Sequence, residues 1–129
     1  MVRRFGLNID CADPASLARF WADALGYPAP DAPQDEDNGW AMIEPPEAGL
    51  STVYFQRVPE GKVAKNRVHL DLQVGGDGPM EERRAKIDAE AARLVELGAS
   101  DHRGPIEEAG SYRVRMNDPE GNEFCLVGG

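Results

Sequence analysis

His69 and Asp71 stand two residues apart in a run, His-Leu-Asp-Leu-Gln (69–73), in which polar and apolar residues alternate. A period of two is the pattern of a strand with one face on a core. Val68, Leu70, Leu72 and Val74 therefore point one way, and His69, Asp71 and Gln73 the other. An imidazole changes charge near neutral pH, so it can take and return a proton, and it is also a good ligand for a divalent metal. Asp71 lies about 6.5–7 Å further along the same face. That is too far for an assured direct hydrogen bond, but near enough for its charge to act on the ring. His69 reads as a general base or ligand contact, or equally as a polar-face histidine bonded to a neighbour or to water. A metal-ligand role ranks below both.

Other residues gather around this pair. Asn8 and Asp10 project from a related strand, and Gln56 and Glu123 are candidates for the same polar face. Buried carboxylates are rare unless paired, so Asp10, Asp71 and Glu123 on one surface imply a wet, polar cavity, unless Arg113 or Arg115 neutralises them structurally. For any single carboxylate that structural pairing is the stronger expectation. Cys125 has no sequence neighbour that would lower its pKa, and reads as a small apolar filler of the cavity floor. Trp40 is placed to stack on a ligand, whereas Trp21 reads as core. His102, between Asp101 and Arg103, reads as an exposed loop residue.

The elements that must hold these residues repeat. Gly-Leu-Asn-Ile-Asp (6–10) is a second alternating run, and each run precedes a helical segment. Phe5, Leu7 and Ile9 form the apolar side of the first strand. Asp13-Pro14 opens a helix and Gly26 closes it, with Leu17, Phe20, Trp21 and Leu25 on its buried face. Residues 28–39 are acidic and proline-rich and predict a loop. Trp40–Ile43 and Thr52–Val58 predict strands, with Pro46-Glu47-Ala48-Gly49 in the turn between them. A charged helix spans about 80–97, with Ile87, Ala91, Leu94 and Leu97 as its stripe, Gly98 as its end and Glu81-Glu82-Arg83-Arg84 on its solvated face. Tyr112–Met116 and Glu123–Val127 predict closing strands around Asp118-Pro119-Glu120-Gly121.

A βαβββ unit used twice follows, with module one over about 1–58, a linker over 59–66 and module two over 67–129. The fold class is α+β: two βαβββ modules forming a cupped mixed β-sheet with a helix backing each half, and a cleft where the inner faces converge. The formal charge of −9 on 129 residues repels phosphate backbones and speaks against nucleic acid. No apolar run approaches the ~20 residues of a membrane helix. Met-Val-Arg-Arg leads straight into a strand, without a signal-peptide core. A soluble cytoplasmic protein with two reduced thiols, Cys11 and Cys125, is the expectation.

Three segments carry a family resemblance: Asp-Cys-Ala-Asp-Pro-Ala-Ser-Leu-Ala-Arg-Phe-Trp-Ala-Asp-Ala-Leu-Gly-Tyr (10–27), Lys-Asn-Arg-Val-His-Leu-Asp-Leu (65–72) and Asp-Pro-Glu-Gly-Asn-Glu-Phe-Cys-Leu-Val (118–127). In order and spacing the chain resembles the glyoxalase-like branch of the vicinal oxygen chelate superfamily, which also holds bleomycin-resistance proteins, fosfomycin-resistance enzymes and extradiol dioxygenases. The resemblance implies a small-molecule ligand and a homodimer. Metal-using relatives hold a divalent ion with three or four His and Glu side chains. Here those positions fall on Gly6, His69, Cys125, and Thr52 or Tyr54. Gly6 and His69 occupy the same place in the two copies, so one copy offers an imidazole and the other nothing. His69 and Cys125 make two ligands, short of a stable catalytic set, and the expected cofactor is none. The resemblance then implies a small-molecule-binding protein without the inherited metal site. If it is catalytic, it is a lyase or isomerase moving a proton at an oxygenated carbon, with His69 as base and Asp71 and Gln56 orienting. A drug-sequestering protein with an acidic cleft for a cation, and a metal-dependent lyase or dioxygenase with non-standard ligands, are the alternatives.

Overall fold

The computed structural model describes residues 1–30, 39–108 and 110–128. They form two compact units, Met1–Gly61 and Lys62–Gly129. The fold class is α+β, with mixed sheets and two helices. Residues 62–66 belong with the second unit.

In the first unit, β1 (Leu7–Cys11), α1 (Pro14–Leu25), β2 (Trp40–Ile43) and β3 (Val53–Arg57) give a three-stranded sheet of order β1-β3-β2. β3 runs parallel to β1 and antiparallel to β2. The Asp13 carboxylate accepts the Ser16 N–H at 3.2 Å, Pro14 fits the first turn, and Gly26 leaves the helix at φ 73° in the left-handed region. Leu17, Phe20 and Trp21 are buried with Ala41, Ile43, Val53 and Phe55, which carries α1 onto one face of the sheet. Phe20 meets Trp21 edge-on, with centroids 5.6 Å apart. Phe5 departs from expectation: the strand begins at Leu7, and Phe5 is exposed. Of the expected loop, residues 31–38 lie outside the described residues. The elements described here are therefore βαββ.

The second unit is βαβββ: β4 (Asp71–Gln73), α2 (Met80–Glu96), β5 (Ser100–Glu108), β6 (Ser111–Asn117) and β7 (Glu123–Val127). Its sheet order is β4-β7-β6-β5, with β4 parallel to β7 and the remaining pairs antiparallel. The arrangement β4-β7-β6 repeats β1-β3-β2 in order and direction. Asp71 pairs with Cys125 as Asn8 pairs with Tyr54, so His69 and Gly6 each sit two residues before matching positions. Leu72, Ile87, Leu94, Val114, Met116, Phe124 and Leu126 form the core.

Several expectations are corrected here. β4 is only three residues long, Leu70 is half-buried and Val68 is exposed. Leu97 lies on the surface rather than in the helix stripe. The stretch carrying His102 is not a loop but part of β5, whose pairing with β6 slips between Asp101 and Pro105. Gly104 at φ 74° followed by Pro105 interrupts the alternation that would announce a strand; an edge position tolerates both. Nor is the charge run on α2 simply solvated. Arg83 donates to the Gly78 and Asp77 carbonyls, while Arg84 pairs with Glu107 and lies 5.3 Å from the Tyr112 ring centroid.

A candidate small-molecule site in the second unit

The polar face of the β4-β7-β6 sheet carries a cavity of about 370 Å³, walled by Lys65, His69, Asp71, Arg113, Arg115, Glu123, Cys125 and Val127, with Phe124 at its edge. Strand register explains the assembly. Cys125 of β7 has Asp71 on one side and Arg115 on the other, and Val127 has Arg113 beside it. Alternation then aims Glu123, Cys125 and Val127 the same way.

His69 stands two residues before the start of β4, and its ring reaches toward Asp71. Nε2 lies 3.2 Å from Asp71 Oδ1. The two side chains thus meet directly, their tips closing the roughly 6.5–7 Å between same-face positions of a strand. The Asp71 carboxylate stands beside Nε2, which leaves Nδ1 as the ring nitrogen without an ionic contact among the described residues. Both are substantially open to water, with the His69 side chain 43% and the Asp71 side chain 55% exposed. The contact therefore orients the ring more than it stabilises the fold.

Glu123 serves a different purpose. Its carboxylate accepts the Asn66 N–H at 3.0 Å and pairs with Lys62 at 3.2 Å. Burial alone would raise its pKa, but the Asn66 N–H and the Lys62 ammonium outweigh burial and hold it below the ordinary carboxylate value. Glu123 thereby ties residues 62–66 along the cavity, where Lys65 lines it. Cys125 forms the floor. Burial, then the Asp71 charge, push its thiol pKa up against the opposing pull of Arg113, Arg115 and Lys65. It remains a protonated thiol at neutral pH.

Asp118 is the one buried charged residue of the described chain. Its carboxylate accepts the Glu120 and Asn122 N–H groups at 2.9 and 3.0 Å, and Gly121 turns at φ 88°. The Asp-Pro-Glu-Gly-Asn segment is a side-chain-closed turn that launches β7 and aims Glu123 and Cys125.

The remaining candidates lie on the first unit. Asn8, Asp10, Trp40 and Gln56 occupy the face of its sheet opposite α1, and all four are exposed. Asn8 Nδ2 approaches Gln56 Oε1 at 3.5 Å, and Trp40 pairs with Gln56 in the ladder. Gln56 is thus engaged with Asn8. Gly6 borders a separate hollow with Arg3, Arg4, Thr52 and Tyr54, whose lining includes no imidazole, carboxylate or thiol.

A glyoxalase-like domain model matches residues 6–127. The chain belongs to the glyoxalase-like family. No curated protein sequence matches it. Among solved structures it is similar to a hypothetical protein from S. aureus (23% identity, 100% of this chain and 99% of the other, TM-score 0.66). It is also similar to a glyoxalase/bleomycin resistance protein/dioxygenase family enzyme from Burkholderia phytofirmans PsJN (17%, 95% and 94%, TM-score 0.69). A third is a fosfomycin resistance protein from Mesorhizobium loti (15%, 100% and 94%, TM-score 0.68). At such identities it is the fold that is shared.

The metal chemistry of this glyoxalase-like family raises the question of fit. The donor atoms of His69, Asp71 and Cys125 all lie within 4.8 Å of one another. Asp71 is a third donor that the count of inherited positions missed, because it occupies none of them. Nitrogen, oxygen and sulfur donors in that number suit zinc. The surroundings do not. Lys65, Arg113 and Arg115 line the same cavity, and Glu123 is already engaged by Lys62. In spacing and donor type the cluster matches a divalent cation; in charge it does not fit a tightly held one.

Proposed function

We propose that this glyoxalase-like protein binds a small oxygenated molecule in the second-unit cavity and moves a proton on it, with His69 as base and without a resident divalent ion. The observation that carries the reading is the His69–Asp71 contact at 3.2 Å on the wall of that cavity. In this reading the carboxylate beside Nε2 favours the ring proton on that nitrogen and Nδ1 serves as acceptor; catalysis by a positioned base is worth typically 10²–10⁴-fold. The base takes a proton from a carbon next to a carbonyl and returns it to the neighbouring carbon or oxygen, so no redox partner is needed. A cytoplasmic location, expected from the sequence, and a homodimer, which the resemblance implies, belong to the same reading.

The test is proton exchange. Protein purified through a chelator is incubated in D₂O with hydroxyacetone, and loss of the C–H signal is followed by NMR. We expect exchange above the buffer rate, unchanged on adding Zn²⁺ or Ni²⁺, and reduced at least ~100-fold in His69→Ala. No exchange by wild-type protein, or exchange that requires added metal, overturns it. The second outcome would establish the metal-dependent alternative, which the three clustered donors favour. The basic cavity lining weighs against sequestration of a cationic drug at this site.

A further inference from the structure

Arg113 and Arg115 are half-buried, stand two residues apart on β6, and both line the second-unit cavity. The simplest role for such arginines is to neutralise nearby carboxylates. The structure does not give them that role. Asp71 contacts His69, Glu123 is taken by Lys62, and among the described residues neither Arg113 nor Arg115 has an ion-pair partner. Lys65 is in the same position. Two arginines of this unit outside the cavity are ion-paired, Arg84 with Glu107 and Arg93 with Glu90, and Arg83 is taken by the Gly78 and Asp77 carbonyls. Three cations without an ion pair among the described residues, Lys65, Arg113 and Arg115, thus line the cavity that also holds the His69–Asp71 pair.

This gathering runs against the whole chain, whose formal charge is −9. The two carboxylates that share the cavity, Asp71 and Glu123, are engaged by His69 and Lys62, so among the described residues the arginines are left without a counter-charge there. Half-burial strengthens their pull on an anion, because a partly desolvated guanidinium meets less competing water. Two forks on adjacent same-facing positions suit an oxyanion, which guanidinium binds through paired N–H···O contacts.

We propose that the ligand of this cavity carries a small oxyanionic group, carboxylate or phosphate, seated on Arg113 and Arg115 with Lys65 closing over it. The inference shares its cavity with the function proposed above and names the class of molecule that His69 would act upon. Anchoring the anion at β6 leaves the rest of a small molecule to cross the Cys125 floor toward β4 and the His69–Asp71 pair, in accord with the strand order β4-β7-β6.

The experiment is a titration of the chelator-treated protein with four probes followed by calorimetry: inorganic phosphate, malonate, uncharged malonamide and choline. We expect phosphate or malonate to bind, with the tighter of the two identifying the group. Malonamide and choline should bind at least about tenfold more weakly. Arg113→Gln and Arg115→Gln should each weaken the anion about tenfold or more, and Arg93→Gln on the outside of α2 should leave it unchanged. If a glutamine variant melts abnormally, Arg115→Lys serves instead, keeping the charge and losing the fork. His69→Ala should change anion affinity by less than about threefold, since it holds the other end of the ligand. Binding of choline in preference to the anions, no anion binding up to ~10 mM, or affinity indifferent to both arginines overturns the proposal. Anion binding without proton exchange leaves it standing and removes His69 as base. Exchange on hydroxyacetone without anion binding does the reverse.

Discussion

At the scale of single residues, His69 and its neighbours separate site from scaffold. His69 is exposed and its one ionic contact is wet, so His69→Ala should cost at most about 1 kcal/mol of stability while abolishing exchange. Leu72, buried on the opposite face of β4, should cost about 2–5 kcal/mol on truncation to alanine. Thermal melts beside exchange rates check both; a His69→Ala variant that melts as early as Leu72→Ala would make the histidine structural. Glu123 gives a pH test. Its folded pKa lies below the ordinary 4.5, so the stability it contributes is complete above that value and is lost as pH falls through the folded value. Glu123→Gln should flatten the acid limb of a stability profile, and Lys65 should lose its fixed place with it. The types and positions of His69, Asp71, Cys125 and Glu123 were legible in the sequence. The engagement of Glu123 by Asn66 and Lys62 was not, since it depends on where residues 62–66 run. Nor was the direct His69–Asp71 contact, because strand spacing places the two positions and not the rotamers of their side chains.

At the scale of elements, legibility followed the strength of local signals. α1 announced itself through Asp13, Pro14 and Gly26, and the structure has all three in those roles. Asp13→Ala should cost about 1 kcal/mol through the lost cap, measured by denaturant titration; no change would mean the packing of Phe20 and Trp21 alone fixes the helix start. β5 stayed hidden because Gly104-Pro105 and the charges around them break the period of two. Its place is set by partners distant in sequence: it pairs with β6, and the Arg84–Glu107 pair ties it to α2. Tyr112 reports on that join. Burial first, then the hydrogen bond to Asp88 and that carboxylate's charge, push its phenol up to about 12, against the pull of Arg84. An unfolded tyrosine ionises near 10, so between pH 10 and about 12 the unfolded chain has shed a proton that the folded chain keeps. Stability should therefore fall as pH rises through that window. Tyr112→Phe should lack this slope, and a phenolate absorbance appearing near pH 10 in the folded protein would show that Asp88 does not engage it.

At the scale of the whole molecule, the sequence expectation of self-pairing meets two opposing physical facts. Val2, Phe5, Leu50 and Tyr54 are exposed around one hollow of the first unit, apolar surface that a lone chain leaves in water. Against that, each copy carries a formal charge of −9, so two copies repel at long range. Salt shortens that repulsion to about 8–10 Å at ~0.1–0.15 M while leaving apolar contact intact. Association through this hollow should therefore strengthen with added salt, the opposite of an interface made by ion pairs. Sedimentation equilibrium at ~50 μM protein should show the mass of two chains near physiological ionic strength and dissociation toward one chain at ~0.01 M salt. Phe5→Asp, which places a charge in the hollow without touching the core of either unit, should remain a monomer and keep its melting behaviour. A wild-type protein that stays monomeric across the salt range, or a dimer that Phe5→Asp leaves intact, would place the pairing surface elsewhere or remove it.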